Sequence, residues 1–172
     1  VAATLDILGL PLDRALAPLA KTVAPAGRGA RTLLQAPGGA ILLIDESYNG
    51  NPASMRAALA AMATTPRSRF ARRIAVMGDM RELGHAADDL HRALADAVAA
   101  ADLVLACGPH MQRLFETLPS EKQGAWAEKS GDLVPALLQT VQSGDVVMIK
   151  GSLGTRMAPL VEALKARYQA VG

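Results

Sequence analysis

The chain reads as an α/β sandwich with a mostly parallel sheet, preceded by a short helical segment and a hairpin. The apolar runs Ile74-Ala75-Val76-Met77, Leu103-Val104-Leu105 and Val146-Val147-Met148-Ile149 are bounded by Gly or Asp and are too short for independent helices. Ala-rich segments at 57–63 and 93–101 have helical composition and fall between strand-like runs. A helical bundle would lack the runs, whereas parallel strands need such crossovers between them. With 172 residues, 51% of them apolar, the chain can bury one sizeable core.

Residues 1–20 carry Ala2, Ala3, Leu5 and Leu8, then Leu12, Leu16 and Leu19, at helix-like intervals, with Pro11 dividing the segment. Pro25-Ala26-Gly27-Arg28-Gly29 reads as a loop. Thr32 to Gln35 and Ala40 to Ile44 flank Pro37-Gly38-Gly39 and predict a hairpin. From Pro52 onward the pattern alternates: helix near 52–64, strand near 72–78, helix near 86–100, strand near 102–107, helix near 110–118. A weaker strand near 125–128, a helix near 131–142, a strand at 146–149 and a final helix near 156–169 complete a Rossmann-like sandwich.

Composition excludes several functions. A net charge of +2 arises from 18 basic and 16 acidic residues spread along the chain, so no basic stripe follows a phosphate backbone. Aromatic residues make up 3%, leaving few platforms for stacked bases; no nucleic-acid partner is expected. No apolar segment approaches the ~20 residues that cross a bilayer, so no membrane insertion is expected either. The single Cys107 forms no internal disulfide, and no Cys/His cluster has metal-ligand spacing; both fit a reducing cytoplasm. Cys107 ends the apolar run Leu103-Val104-Leu105-Ala106 and reads as an inert hydrophobe. The chain starts at Val1 and contains no Gly-x-x-x-x-Gly-Lys-Ser/Thr loop, and it reads as a piece of something longer.

The richest segment is Asp45-Glu46-Ser47-Tyr48-Asn49-Gly50-Asn51-Pro52-Ala53-Ser54-Met55, which follows the buried run Ile41-Leu42-Leu43-Ile44 and opens a helix. In open α/β sheets, ligands bind where strands end and helices begin. Ser47 or Asn51 capping the helix would explain one or two of these residues, not adjacent carboxylates and a tyrosine. Asp45 and Glu46 alternate across the strand end, so one of the pair suits a ribose diol while the other faces away. Tyr48 offers a flat apolar face with a polar tip, and Asn49 offers donor and acceptor groups.

Two further loops follow strands. Gly78-Asp79-Met80-Arg81-Glu82-Leu83-Gly84 reads as a binding loop in which Gly78 permits close approach, and Asp79 or Glu82 receives an ammonium group or caps the next helix. His91 falls within that helix and could point back at the loop. Lys150-Gly151-Ser152 follows the last strong strand and offers a cation and a hydroxyl on the same rim.

These three segments, in this order, resemble the C-terminal domain of the Mur ligase family. The matching residues are Asp45-Glu46-Ser47-Tyr48-Asn49-x-Asn51-Pro52, Val76 to Gly84 with His91, and Ile149-Lys150-Gly151-Ser152. Gly50 stands where the family usually has Ala, Glu46 where Asp is common, and Leu153 where Arg often follows. The resemblance implies an ATP-dependent amide-bond ligase of peptidoglycan synthesis, of the kind that adds D-alanyl-D-alanine to UDP-MurNAc-tripeptide. It implies that residues 1–30 end the ATP-binding central domain and that 31–172 form the C-terminal domain. ATP would meet Arg28, one of Asp45 and Glu46, Tyr48 and Asn49. The acceptor would meet Asn51, Gly78, Asp79, Met80, Glu82, His91, Lys150, Gly151 and Ser152. The phosphate loop, the Mg2+ ligands and the N-terminal domain would lie before residue 1, so the chain alone is expected to be inactive. Related readings are another ligase of the superfamily, such as a folylpolyglutamate synthase, or a non-catalytic nucleotide-binding module. The short Asp-x-x-His-x-Pro signature of the former and a Gly-x-Gly-x-x-Gly for the latter are both missing.

Overall fold

The computed structural model describes residues 2–9, 11 and 24–170. Helix α1 covers Ala2–Ile7; the second half of the predicted N-terminal helical segment, at 12–20, lies outside the described residues. The hairpin is β1 (Ala30–Ala36) and β2 (Gly39–Glu46), antiparallel, with Ala36 opposite Gly39. Then follow α2 (Pro52–Ala63), β3 (Arg72–Gly78), α3 (Ala87–Arg92), β4 (Leu103–Cys107), α4 (Pro109–Phe115), β5 (Gln123–Ala127), α5 (Ser130–Thr140), β6 (Asp145–Lys150), α6 (Ala158–Arg167) and β7 (Gln169–Ala170).

Among the described residues these strands make one seven-stranded sheet in the order β5-β4-β3-β6-β2-β1-β7. The five strands from β5 to β2 run parallel, and β1 and β7 are antiparallel additions at one edge. Side chains alternate across the strands and bury on both faces. Leu42, Ile44, Val146 and Met148 pack with α2 and α4 residues such as Leu59 and Met111. Ile41, Leu43, Val147 and Ile149 pack with α5 and α6 residues such as Leu137 and Leu160. This double burial is why the strands read as continuous apolar runs instead of alternating ones. The order β4-β3-β6-β2 also sets the carboxyl ends of β3, β6 and β2 side by side, so the loops after residues 78, 150 and 46 are neighbours.

Two elements differ from the sequence reading. The helix expected near 86–100 is broken: 3-10 turns at Gly84–Ala86 and Ala97–Ala100 flank α3. Arg56 on α2 donates to the Ala93 carbonyl and to the Asp96 carboxylate. That takes the oxygen an unbroken helix would offer to the Ala97 N–H. The final helix stops at Arg167 and not near 169, because Tyr168 turns extended, buries its ring and donates its hydroxyl to Val141 O at 3.1 Å. Residues 169–170 then pair with Leu34 and Gln35.

Candidate functional site

The turn after β2 is stitched to the loop before β1 by Asp45. Its carboxylate accepts from the Gly27 N–H (2.9 Å), the Ser47 N–H (3.1 Å) and Ser47 Oγ (2.6 Å). Tyr48 N donates to Gly27 O, and Gly27 adopts φ +75°, where an added Cβ would come within 2.8 Å of Tyr48 Cβ. Glycine is therefore required for both conformation and approach. The junction carries Arg28 over the Tyr48 ring, 4.3 Å from its centroid.

Alternation divides the acidic pair, as expected. Asp45 is buried with its oxygens engaged and borders a cavity of about 220 Å³ with Ala26, Ser47 and Tyr48, whereas Glu46 faces a separate one of about 210 Å³ lined by Gly27, Arg28, Asn49, Ser54 and Lys150. Lys150 Nζ donates to Glu46 Oε2 (3.2 Å) and to Asn49 O (3.0 Å). Asn49 Oδ1 accepts from Gly50 N. Asn51 caps α2 by a reciprocal capping box with Ser54, so the capping explanation accounts for its inner contacts.

The loop after β3 is equally ordered. Gly78 allows Met157 and Thr155 to close in, since a Cβ there would stand 2.5 Å from Met157 Sδ. Asp79 is buried and accepts the Met111 N–H at 2.7 Å. It thus caps α4, not the helix that follows it in sequence. Met80 is buried, and its N–H reaches His91 Nε2 at 2.9 Å, while His91 Nδ1 lies 2.6 Å from Ala87 O. Both ring nitrogens of His91 are engaged and the residue is wholly buried, so His91 supports the loop from beneath and does not reach a substrate. The contacts specify one neutral tautomer, with Nδ1 donating to Ala87 O and Nε2 accepting from Met80. Burial holds the His91 pKa below its ordinary value. Glu82 adopts φ +64°, a left-handed conformation uncommon for a side chain of its size.

Ser152 joins the loops. Its Oγ donates to Gly50 O (3.0 Å) and accepts from Arg81 N (2.9 Å), and its N–H donates to Asp79 O (3.1 Å). Gly151 fits where a Cβ would meet Met157 and the Gly78 backbone. Lys150 departs from the reading that placed it with the 78–84 loop. Its buried side chain crosses to Glu46 on the neighbouring strand, because the parallel register sets residue 46 opposite 150.

Two clefts flank Arg81. One, of about 360 Å³, includes Asn49, Asn51, Glu82, Ser152 and Leu153. The other, of about 330 Å³, includes Asp79, Gly108, Lys129, Ser130, Asp132 and Arg156. Arg81, Lys129 and Arg156 escaped individual assignment from the sequence. Their common signal was a cation in each loop that follows β3, β5 and β6. Cys107 is buried, and burial followed by the Asp79 charge pushes its thiol up to about 12, which makes it inert as a nucleophile. Among the described residues, no three His, Cys, Asp or Glu side chains are placed to hold a metal ion. Nor, among them, is any helix long and apolar enough to cross a membrane.

A family model described as "Mur ligase, glutamate ligase domain" matches residues 31–153. The chain belongs to the Mur ligase family. Among relatives of this Mur ligase domain, the UDP-N-acetylmuramoyl-tripeptide--D-alanyl-D-alanine ligase of Escherichia coli is 33% identical over 127 residues, covering 72% of the chain and 27% of the relative. The same-named ligase of Rickettsia prowazekii is 25% identical over 160 residues, covering 92% of the chain and 34% of the relative. Thus the chain spans about a third of the length of these relatives. A solved MurF from Acinetobacter baumannii superposes with a TM-score of 0.74 at 29% identity, over 92% of this chain and 35% of that one. MurF from Thermotoga maritima in complex with ADP shares the fold, with a TM-score of 0.76 at 24% identity, over 96% and 37% of the two chains.

Proposed function

We propose that this Mur ligase domain is the C-terminal part of a cytoplasmic, ATP-dependent ligase that joins D-alanyl-D-alanine to UDP-MurNAc-tripeptide, and that residues 1–30 end the preceding ATP-binding domain. The observation that carries the reading is the pair of sites on one rim, a Glu46–Arg28 cavity and the Arg81 clefts, in a domain whose relatives bear that ligase name. In the reaction, the tripeptide carboxylate takes the γ-phosphoryl group of ATP. The dipeptide amine then attacks the acyl phosphate, forming the amide and releasing ADP and phosphate.

The domain's part is positioning, which supplies a large share of a rate enhancement without a nucleophile of its own. Glu46, which shares its cavity with Arg28 while the Asp45 carboxylate is taken by Gly27 and Ser47, accepts the ribose hydroxyls. Asp45 shapes the turn that presents it. Arg28, held on Tyr48, is a guanidinium donor for the nucleotide phosphates. On the other side, Arg81 and Arg156 offer the dipeptide carboxylate two cations, and Asp79 and Asp132 leave an acidic side for its amine.

The test is phosphate release by the full-length protein with ATP, UDP-MurNAc-tripeptide and D-alanyl-D-alanine. Release that needs both peptide substrates is expected. Turnover with a folate and glutamate instead would refute the reading.

A further inference from the structure

Lys150 is built to hold another residue. Its side chain is only 4% exposed, while the Glu46 side chain it contacts keeps 26% exposure. Two of its ammonium donors go to the turn after β2, one to Glu46 Oε2 and one to the Asn49 carbonyl, at 3.2 and 3.0 Å. The other Glu46 oxygen, Oε1, lies beside Gly29, where an added Cβ would stand 3.2 Å away. One cation therefore fixes both the backbone of the turn and the orientation of the carboxylate at its cavity. Two residues on, Ser152 bonds to Gly50 O and Arg81 N, so this short segment has its contacts to the acceptor side through Ser152 and not through Lys150.

We propose that Lys150 is a positioning residue for nucleotide recognition: it presents the Glu46 carboxylate in one orientation to a vicinal diol and makes no contact with the acceptor dipeptide. The inference rests on the reading of the 45–51 turn as a nucleotide wall. Its physical basis is preorganisation. A carboxylate held by a buried ammonium need not be ordered when the ligand arrives, whereas a free one rotates and must be. Methionine in place of Lys150 keeps most of the stem volume and removes the clamp.

The experiment measures the Michaelis constants for ATP and for D-alanyl-D-alanine in the full-length protein, for Lys150→Met, Glu46→Gln and the double variant, with melting temperatures alongside. Lys150→Met is expected to raise the ATP constant about tenfold and leave the dipeptide constant unchanged. The effect should largely vanish when Glu46 is already Gln, since no carboxylate is then left for Lys150 to present to the diol. Lys150→Gln, which also lacks the charge, gives the same reading if the Met variant does not fold. A rise in the dipeptide constant overturns the proposal, as does a fully additive double variant or a lowered melting temperature with both constants unmoved. Should Glu46→Gln itself leave the ATP constant unchanged, the nucleotide reading of the turn fails first. A shift for Glu46→Gln without one for Lys150→Met removes Lys150 alone.

Discussion

His91 Nε2 accepts the backbone N–H of Met80 at 2.9 Å, so the loop after β3 hangs on an unprotonated ring nitrogen. Burial lowers the His91 pKa, while the Ala87 hydrogen bond and the charge of Asp79, 3.9 Å away, oppose the shift. His110 stacks on the ring at 5.5 Å and is itself paired with Asp88. A depressed histidine favours folding while it stays neutral. Its contribution is complete above the unfolded value near 6.5 and is lost as pH falls from there through the folded value. Denaturation midpoints should therefore fall between about pH 7.5 and about pH 5, and His91→Gln should flatten part of that slope. Equal slopes in both proteins would remove His91 from the account.

Asp79 caps α4 through Met111 N, and the Gly108 backbone leaves room for its carboxylate, since a Cβ there would stand 2.4 Å from Asp79 Cγ. Asp79→Ala should cost about 0.5–2 kcal/mol of stability, whereas Asp79→Asn, which keeps an acceptor, should cost less. Equilibrium unfolding in urea compares the two. Equal losses would mean that charge, not the cap, sets the stability.

Glu82 holds a left-handed backbone at the edge of the cleft it shares with Asn49, Asn51 and Ser152. Glu82→Gly is expected to relieve this strain and raise stability by up to about 1 kcal/mol. If Glu82 also meets the acceptor, turnover of the full-length protein falls in the same variant, a trade common where strain is kept at a site. A drop in melting temperature would show that the conformation is not strained.

Arg28→Ala in the full-length protein should raise the Michaelis constant for ATP and leave that for the dipeptide unchanged. Tyr48→Ala should act in the same direction but less, because it removes only the ring on which the guanidinium rests, worth about 0.5–1 kcal/mol. Steady-state kinetics with each substrate varied in turn separates the two.

The sheet was legible wherever double burial produced a bare apolar run, as at Ile74 to Met77 or Val146 to Ile149, and the hairpin was legible from Pro37-Gly38-Gly39. The alternation of Asp45 and Glu46 was legible too, because period-two geometry is local. Partners distant in the chain were not. Nothing in residues 86–100 announces that Arg56 takes the Ala93 carbonyl, and nothing beside Lys150 names Glu46 as its partner 104 residues earlier. The cluster of Arg81, Lys129 and Arg156 likewise depends on strand order, which brings three loops together that are scattered in the sequence.

The central claim is that one rim carries two separate sites, a nucleotide wall at Glu46 and an acceptor cleft at Arg81 and Arg156. Initial-rate kinetics of full-length Glu46→Gln and Arg156→Ala tests it most directly. The account predicts a crossed result: Glu46→Gln raises only the ATP constant, and Arg156→Ala raises only the dipeptide constant, each by about ten- to a hundredfold. Both substitutions moving the same constant, or neither moving any, would contradict it.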